Sequence, residues 1–115
     1  MRNIVLLGFM GTGKTVIAKK LAEKTGMQYV STDELIVEKE GMSINDIFTK
    51  KGEPYFRDVE KKVVYDISGL DNVVLDAGGG IVMDLENIRN LRKKGLLVCL
   101  WADPKDIYKR TKYYA

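Results

Sequence analysis

The sequence contains no histidine and a single cysteine. Without histidine, a Ser-His-Asp relay, a Cys-His pair and a histidine-ligated metal site are all excluded. One cysteine, Cys99, forbids an internal disulfide. It sits in the apolar run "LLVCLW", which predicts an inert core position and suits a reducing compartment. No apolar run approaches the roughly 20 residues that a spanning helix needs. The opening "MRNIVLLGFM" mimics a secretory leader, but Gly8 breaks the run and Lys14 soon follows, so it reads as a buried strand. A cytoplasmic protein without a membrane partner is the expectation. An excess of one charge is lacking too: 19 basic and 16 acidic residues are mixed along the chain and leave a net charge of +3. That balance argues against nucleic acid as a partner and predicts a solvated exterior around a small anion-binding site. Only two prolines interrupt 115 residues, and 45% of the residues are hydrophobic, the composition of a single globular domain spanning 1–115.

What is present alternates between strand-like and helix-like stretches. "NIVLL" reads as a fully buried strand, branched and without a polar face. "KTVIAKKLAEKTG" reads as a helix with Ile17 and Leu21 one turn apart and Gly26 as its stop. "MQYV" is a second strand, and "ELIVEKEG" a short helix closed by Gly41. "SINDIFTKKG" opens with Ser43 and Asp46 in capping-box spacing and stops at Gly52. Pro54 suits the first turn of the next helix, whose buried stripe is Phe56, Val59, Val63 and Ile67. "NVVLDA" is a third strand running into "GGG". "LENIRNLRKKG" is a helix capped by Asp84 and stopped by Gly95, "LLVCLWA" a fourth strand, and "DPKDIYKRTKYY" the start of a last helix with Asp103 as cap. Strands alternating with helices predict an α/β fold, a parallel sheet flanked by helices on both faces.

The stretch "GFMGTGKT" matches G-x-x-x-x-G-K-[ST] at Gly8, Gly13, Lys14 and Thr15. Backbone N–H groups converge on a phosphate only where side chains are absent, and the following helix points its positive end at the same place. Lys14 then reaches the β- and γ-phosphates and Thr15 offers its hydroxyl to Mg²⁺. A chance match in a chain this long is on the order of a few in a thousand. The strand before it and the helix after it supply the required context, so the stretch reads as a phosphate loop. It leaves GTPases, ATPases and small-molecule kinases open. The guanine-reading N-K-x-D segment is missing, and short loops favour a kinase.

Three further stretches fall at strand ends, where ligands bind in such sheets. In "VSTDELI", Asp33 is placed to hydrogen-bond an acceptor hydroxyl or take its proton. Equally, Ser31 or Asp33 caps the next helix, with Ser31 and Glu34 in capping-box spacing. In "GEPYFRDVE", Arg57 lies beside the buried stripe with Glu60 one turn on. That pair suits either a bidentate grip on a carboxylate or a surface ion pair, and spacing alone leans to the latter. In "LDAGGG", Gly78, Gly79 and Gly80 permit close backbone approach to a ligand or a sharp turn. Asp76 ends the strand either solvated, to which spacing leans, or as a metal-binding aspartate. Phe48 and Phe56 read as core, with a pocket floor as the other reading. Tyr108 and Arg110 read as helix surface.

Taken in order, these stretches resemble the shikimate kinase family, phosphate-loop enzymes of the nucleoside-monophosphate-kinase fold group. The resemblance covers the whole chain: "GFMGTGKT", "STDELI", "SINDIF", "GEPYFR" and "GGG" each match a family motif. It implies transfer of the γ-phosphoryl of MgATP to the 3-hydroxyl of shikimate, with Lys14, Asp33 and Arg57 as the catalytic residues. ATP would contact Gly11, Thr12, Gly13, Lys14, Thr15 and Val16, with Arg110 packed against adenine. Shikimate would contact Asp33, Arg57 and Gly78 to Gly80, with Phe48, Phe56 and Glu60 around it. Mg²⁺ would lie near Thr15, with Ser31 and Asp76 as further candidates. A monomer is expected. Two departures stand out. Many members have an aspartate where this chain has Ser31, which weakens the metal contact or shifts it to Asp76. Members also continue beyond the point where this chain stops, which implies a fold lacking the lid, last strand and last helix, and little activity from these 115 residues alone.

Rival readings leave their own marks. A nucleoside monophosphate kinase would carry S-T-G-D-x-x-R where this chain has "STDELI", and a gluconate-type kinase a histidine near that aspartate. A non-catalytic nucleotide-binding module would bind ATP with no effect of any acceptor.

Overall fold

The computed structural model describes residues 2–8 and 13–99. Gly11 and Thr12, and the expected last helix with Asp103, Tyr108 and Arg110, lie outside the described residues. Four strands, β1 (Asn3–Leu7), β2 (Gln28–Ser31), β3 (Val73–Asp76) and β4 (Gly95–Cys99), form one parallel sheet in the order β2-β3-β1-β4. Strand period sorts its side chains by face. Ile4 and Leu6 of β1, Tyr29 of β2 and Val74 of β3 pack toward α1 (Lys14–Thr25). Val5, Leu7, Val30, Val73 and Leu75 pack toward the other helices.

Those helices are α2 (Thr32–Glu40), α3 (Ile44–Lys51), α4 (Glu53–Ile67) and α5 (Leu85–Arg92), with a single 3₁₀ turn at Ile81–Met83. The stripe read for α4 is buried at all four positions, Phe56, Val59, Val63 and Ile67. Ser43 caps α3 by accepting from the Asp46 N–H at 3.1 Å, as the spacing predicts. Gly26 and Gly41 end α1 and α2 in the left-handed conformation that favours glycine.

Four expectations need correction. The innermost line of α1 is Ala18 and Ala22, while Ile17 is 42% exposed and Leu21 only partly buried. Both pairs satisfy the i, i+4 spacing, and the small pair lets the helix lie close to the sheet. Helix α2 starts two residues before "ELIV", because Ser31 rather than a later residue is its cap. Gly95 does not stop α5 but begins β4. A Cβ there would stand 2.6 Å from the Leu91 carbonyl oxygen and 2.9 Å from Val5 Cγ2, so close packing demands the glycine. Cys99 is exposed, not core, and lies on β4, one of the two edge strands among the described residues.

At the amino-terminal end of the sheet, Asn3 is 2% exposed. Its amide donates to the Leu70 carbonyl at 2.8 Å and its oxygen accepts from the Val73 N–H at 3.1 Å. These bonds fix β1 against the start of β3 and so set the height at which both strands end.

Candidate active site

Because all strands run parallel, their carboxyl ends meet on one side, where β1 gives way to Gly8, β2 to Thr32 and β3 to Ala77. A cavity of about 580 Å³ opens there. The start of α1 contributes Gly13, Lys14, Thr15 and Val16; the β2–α2 junction contributes Ser31 and Asp33; the end of β3 contributes Asp76, Gly78 and Gly79. Residues drawn from three separate stretches of sequence therefore share one cavity. Tyr29 and Glu34 join them.

Asp76 is the hub. It follows Val74 by two residues, so its side chain falls on the α1 face of the sheet, level with the first turn of α1. Its Oδ2 accepts from the Thr15 hydroxyl at 2.8 Å and from the Tyr29 hydroxyl at 2.8 Å. Its Oδ1 lies 3.6 Å from Lys14 Nζ, and the Asp76 side chain is only 8% exposed. The solvated strand end toward which spacing leaned is therefore overturned. Lys14 also donates to the Ala77 carbonyl, and to that of Gly8 at 3.4 Å, which ties it to the ends of β3 and β1. Burial and the hydrogen bond to Asp76 push the Tyr29 phenol above its ordinary range.

Ser31 takes the capping role, accepting from the Glu34 N–H at 3.3 Å. That frees Asp33 to face the cavity. Desolvation raises its carboxyl above the usual range; Lys14 opposes the shift, Asp76 adds to it and Arg57 again opposes it. Thr32, fully buried between them, accepts from the Gly78 N–H at 2.8 Å and locks the start of α2 to the glycine triplet.

The chain turns here, with the Ile81 N–H donating to the Gly78 carbonyl at 3.1 Å, but Gly78 and Gly80 are glycine for clearance and not for backbone conformation. None of Gly78, Gly79 and Gly80 adopts positive φ, and Gly80 has an ordinary helical φ of −85°. A Cβ on Gly78 would come within 2.7 Å of Asp33 Oδ1, and one on Gly80 within 2.7 Å of Arg57 Cζ. The triplet is thus bordered by the acid on one side and the guanidinium on the other.

Arg57, Glu60 and Gly80 line a second cavity of about 500 Å³. Glu60, 2% exposed, accepts from Arg57 Nη1 at 3.0 Å, and Glu53 approaches Arg57 Nε at 3.6 Å. Burial raises the Glu60 carboxyl above its usual range, and the hydrogen bond and charge of Arg57 pull it back. The guanidinium rests over the Phe56 ring, 5.2 Å from its centroid, and Phe56 packs on Phe48 at 4.7 Å. Phe48 and Phe56 border neither cavity; they act as the support beneath Arg57. The surface ion pair toward which spacing leaned describes the contact of Arg57 with exposed Glu53 but not the one with Glu60, which is buried.

Tyr29 and Thr32 are site residues that sequence reasoning missed. The signal for Tyr29 was parity: it lies two residues before Ser31, so it shares the face of the sheet that carries Asp76. Among the described residues no cluster of three or more His, Cys, Asp or Glu side chains could hold a metal ion by itself. Thr15 and Asp76 do supply adjacent hard oxygen donors, the type Mg²⁺ uses when substrate phosphates complete its shell.

A parallel sheet with Lys14, Thr15 and Asp76 gathered at its carboxyl end defines an α/β phosphate-loop fold. The shikimate kinase family profile matches residues 10–114. The shikimate kinase of Caldicellulosiruptor saccharolyticus is 47% identical over 112 residues, covering 97% of this chain and 65% of the relative. Among solved structures, the shikimate kinase from Acinetobacter baumannii in complex with shikimate is similar with a TM-score of 0.90 and 35% identity, over 96% of this chain and 62% of that one. The Aquifex aeolicus shikimate kinase is similar with a TM-score of 0.85 at 35% identity, over 90% of this chain and 61% of that one. The chain belongs to the shikimate kinase family. It spans 65% of the length of the first of these relatives.

Proposed function

We propose that this chain carries the reacting face of an ATP-dependent kinase that phosphorylates the 3-hydroxyl of shikimate. The observation that carries the reading is the convergence of Lys14, Asp33 and Arg57 around one glycine triplet at the carboxyl end of the sheet. Such a reaction needs little covalent help from the protein and much positioning and charge stabilisation. The amides of Gly11 to Val16 and the Lys14 ammonium bind the phosphates of ATP, with Arg110 against the adenine. Thr15 and Asp76 would hold the Mg²⁺ that accompanies the nucleotide, with Ser31 lining the same wall, and the bound ion would supply neutralisation of phosphate charge.

Arg57 binds the shikimate carboxylate. Glu60 accepts from Nη1 at 3.0 Å and Glu53 lies 3.6 Å from Nε, which leaves Nη2 and the second N–H of Nη1 for the ligand. The triplet Gly78 to Gly80 lets the acceptor ring lie against the main chain, while Phe48 and Phe56 support the guanidinium from below. Asp33 receives the hydrogen of the 3-hydroxyl, and a raised carboxyl is the better proton acceptor. In the step itself the bond from the γ-phosphorus to ADP breaks, a bond to the 3-oxygen forms, and the hydroxyl proton leaves to Asp33. The protein is proposed to act as a monomer in the cytoplasm. No helix among the described residues is long and apolar enough to cross a membrane.

The test is to incubate the protein with ATP, Mg²⁺ and shikimate and to detect products by mass. Shikimate 3-phosphate should form slowly, in equal number with ADP, and should vanish in Lys14→Ala. ADP formed at the same rate without shikimate would overturn the reading.

A further inference from the structure

Ser31 and Asp76 are register partners on adjacent strands, and both side chains fall on the α1 face. Ser31 is short and already spends its hydroxyl oxygen on the Glu34 N–H. The contact across the strand pair is made instead by Tyr29, two residues earlier on the same face, whose hydroxyl reaches Asp76 Oδ2 at 2.8 Å. Its ring packs against the cluster of Leu6, Ala18, Ala22 and Val74. The ring is fixed by apolar packing and only its polar tip enters the site.

The Asp76 carboxylate thus has one oxygen occupied twice, by Thr15 and by Tyr29. With the Thr15 proton committed to Oδ2, the lone pairs of Thr15 Oγ1 are turned away from Asp76. With Oδ2 filled, Oδ1 remains for a cation or its water, beside Lys14. We propose that Tyr29 is a positioning residue for the divalent cation that accompanies the nucleotide: its hydroxyl holds the Asp76 carboxylate in the one orientation that offers Oδ1 and aligns Thr15. This rests on the reading of the cavity as a magnesium–nucleotide site. The role is held by a residue of β2 that neither binds the ion nor touches the reacting atoms. Loss of a partner of this kind lowers metal affinity by roughly 10–100-fold in known sites.

The variant is Tyr29→Phe, which keeps the ring and removes only the hydroxyl. Calorimetric titration with ADP is run in EDTA and then over a series of Mg²⁺ concentrations. The expected result is unchanged metal-free ADP affinity and about a tenfold rise in the Mg²⁺ concentration that gives half the tightening. Tyr29→Leu should shift the Mg²⁺ series in the same way even where it lowers the melting temperature. An Mg²⁺ series identical to wild type overturns the role of Tyr29 and leaves the nucleotide site standing. A drop in metal-free affinity as large as the drop with Mg²⁺ also overturns it, since that is the mark of a merely structural hydroxyl. Wild-type protein that binds ADP no better with Mg²⁺ than without overturns the site and the proposal together.

Discussion

Gly80 has no side chain at the place where Arg57 needs room: a Cβ there would stand 2.7 Å from Cζ and 2.8 Å from Nη2 of the guanidinium. The backbone of Gly80 is in an ordinary helical conformation, so alanine meets no torsional objection. Only the tip of a long side chain is in the way.

Gly80→Ala should therefore displace Arg57, with a stability loss no larger than that of Arg57→Ala, because both disturb the same pair with buried Glu60. Losing a charge-assisted hydrogen bond costs about 1.5–3 kcal/mol, so the Kd for shikimate should rise by at least tenfold. Calorimetry beside a melting curve checks both halves. A large fall in stability with unchanged shikimate affinity would show that the glycine serves the fold instead.

Arg57→Ala leaves Glu60 buried without its cation, since the Glu60 side chain is 3% exposed. The expected loss of unfolding free energy is on the order of 1–3 kcal/mol, read by urea denaturation. Adding Glu60→Gln should return part of that stability and none of the shikimate binding. Recovery of binding in the double variant would remove Arg57 from the proposed carboxylate contact.

Asp33 contributes to stability with a definite sign. Its folded carboxyl is raised, so the folded state holds its proton more tightly than the unfolded chain. Stability from this group is fully present below the ordinary aspartate range and is lost as pH rises through the raised value. Asp33→Asn should thus melt higher than wild type at pH 7, with a gap that narrows as pH falls through the raised value to the ordinary aspartate range and is constant below it, while phosphorylation of shikimate fails. A gap that widens toward acid would contradict the assigned shift.

Asn3→Ala removes two buried hydrogen bonds that join β1 to the Leu70 carbonyl and the Val73 amide. A cost of about 1–3 kcal/mol is expected in denaturant, with ADP affinity changed little as long as the protein remains folded.

Much of this was legible in the sequence because local chemistry and global fold agree. "NIVLL" could only be a buried strand, Ser43 and Gly41 bracket helix ends, and all four positions of the stripe read for α4 are buried. The phosphate loop, Asp33 and Arg57 could be picked out because each combines unusual residue types at a strand or helix end. What resisted reading was tertiary. Ala18 and Ala22 lie beneath the more hydrophobic Ile17 because helix rotation is set by the sheet it meets. Cys99 is apolar by sequence neighbours yet exposed, and strand order, which no local pattern reveals, puts β4 at one edge of the sheet among the described residues. The buried state of Asp76 and the reach of Tyr29 depend on which strands are adjacent, a pairing between residues 47 apart.

The most direct test of the central claim is acceptor selection at the glycine triplet. Shikimate, gluconate and a nucleoside monophosphate are each titrated by calorimetry into protein saturated with ADP and Mg²⁺. The account predicts saturable binding of shikimate alone, weakened at least tenfold in Arg57→Ala. Preference for gluconate or the monophosphate, or shikimate binding indifferent to Arg57, would contradict it.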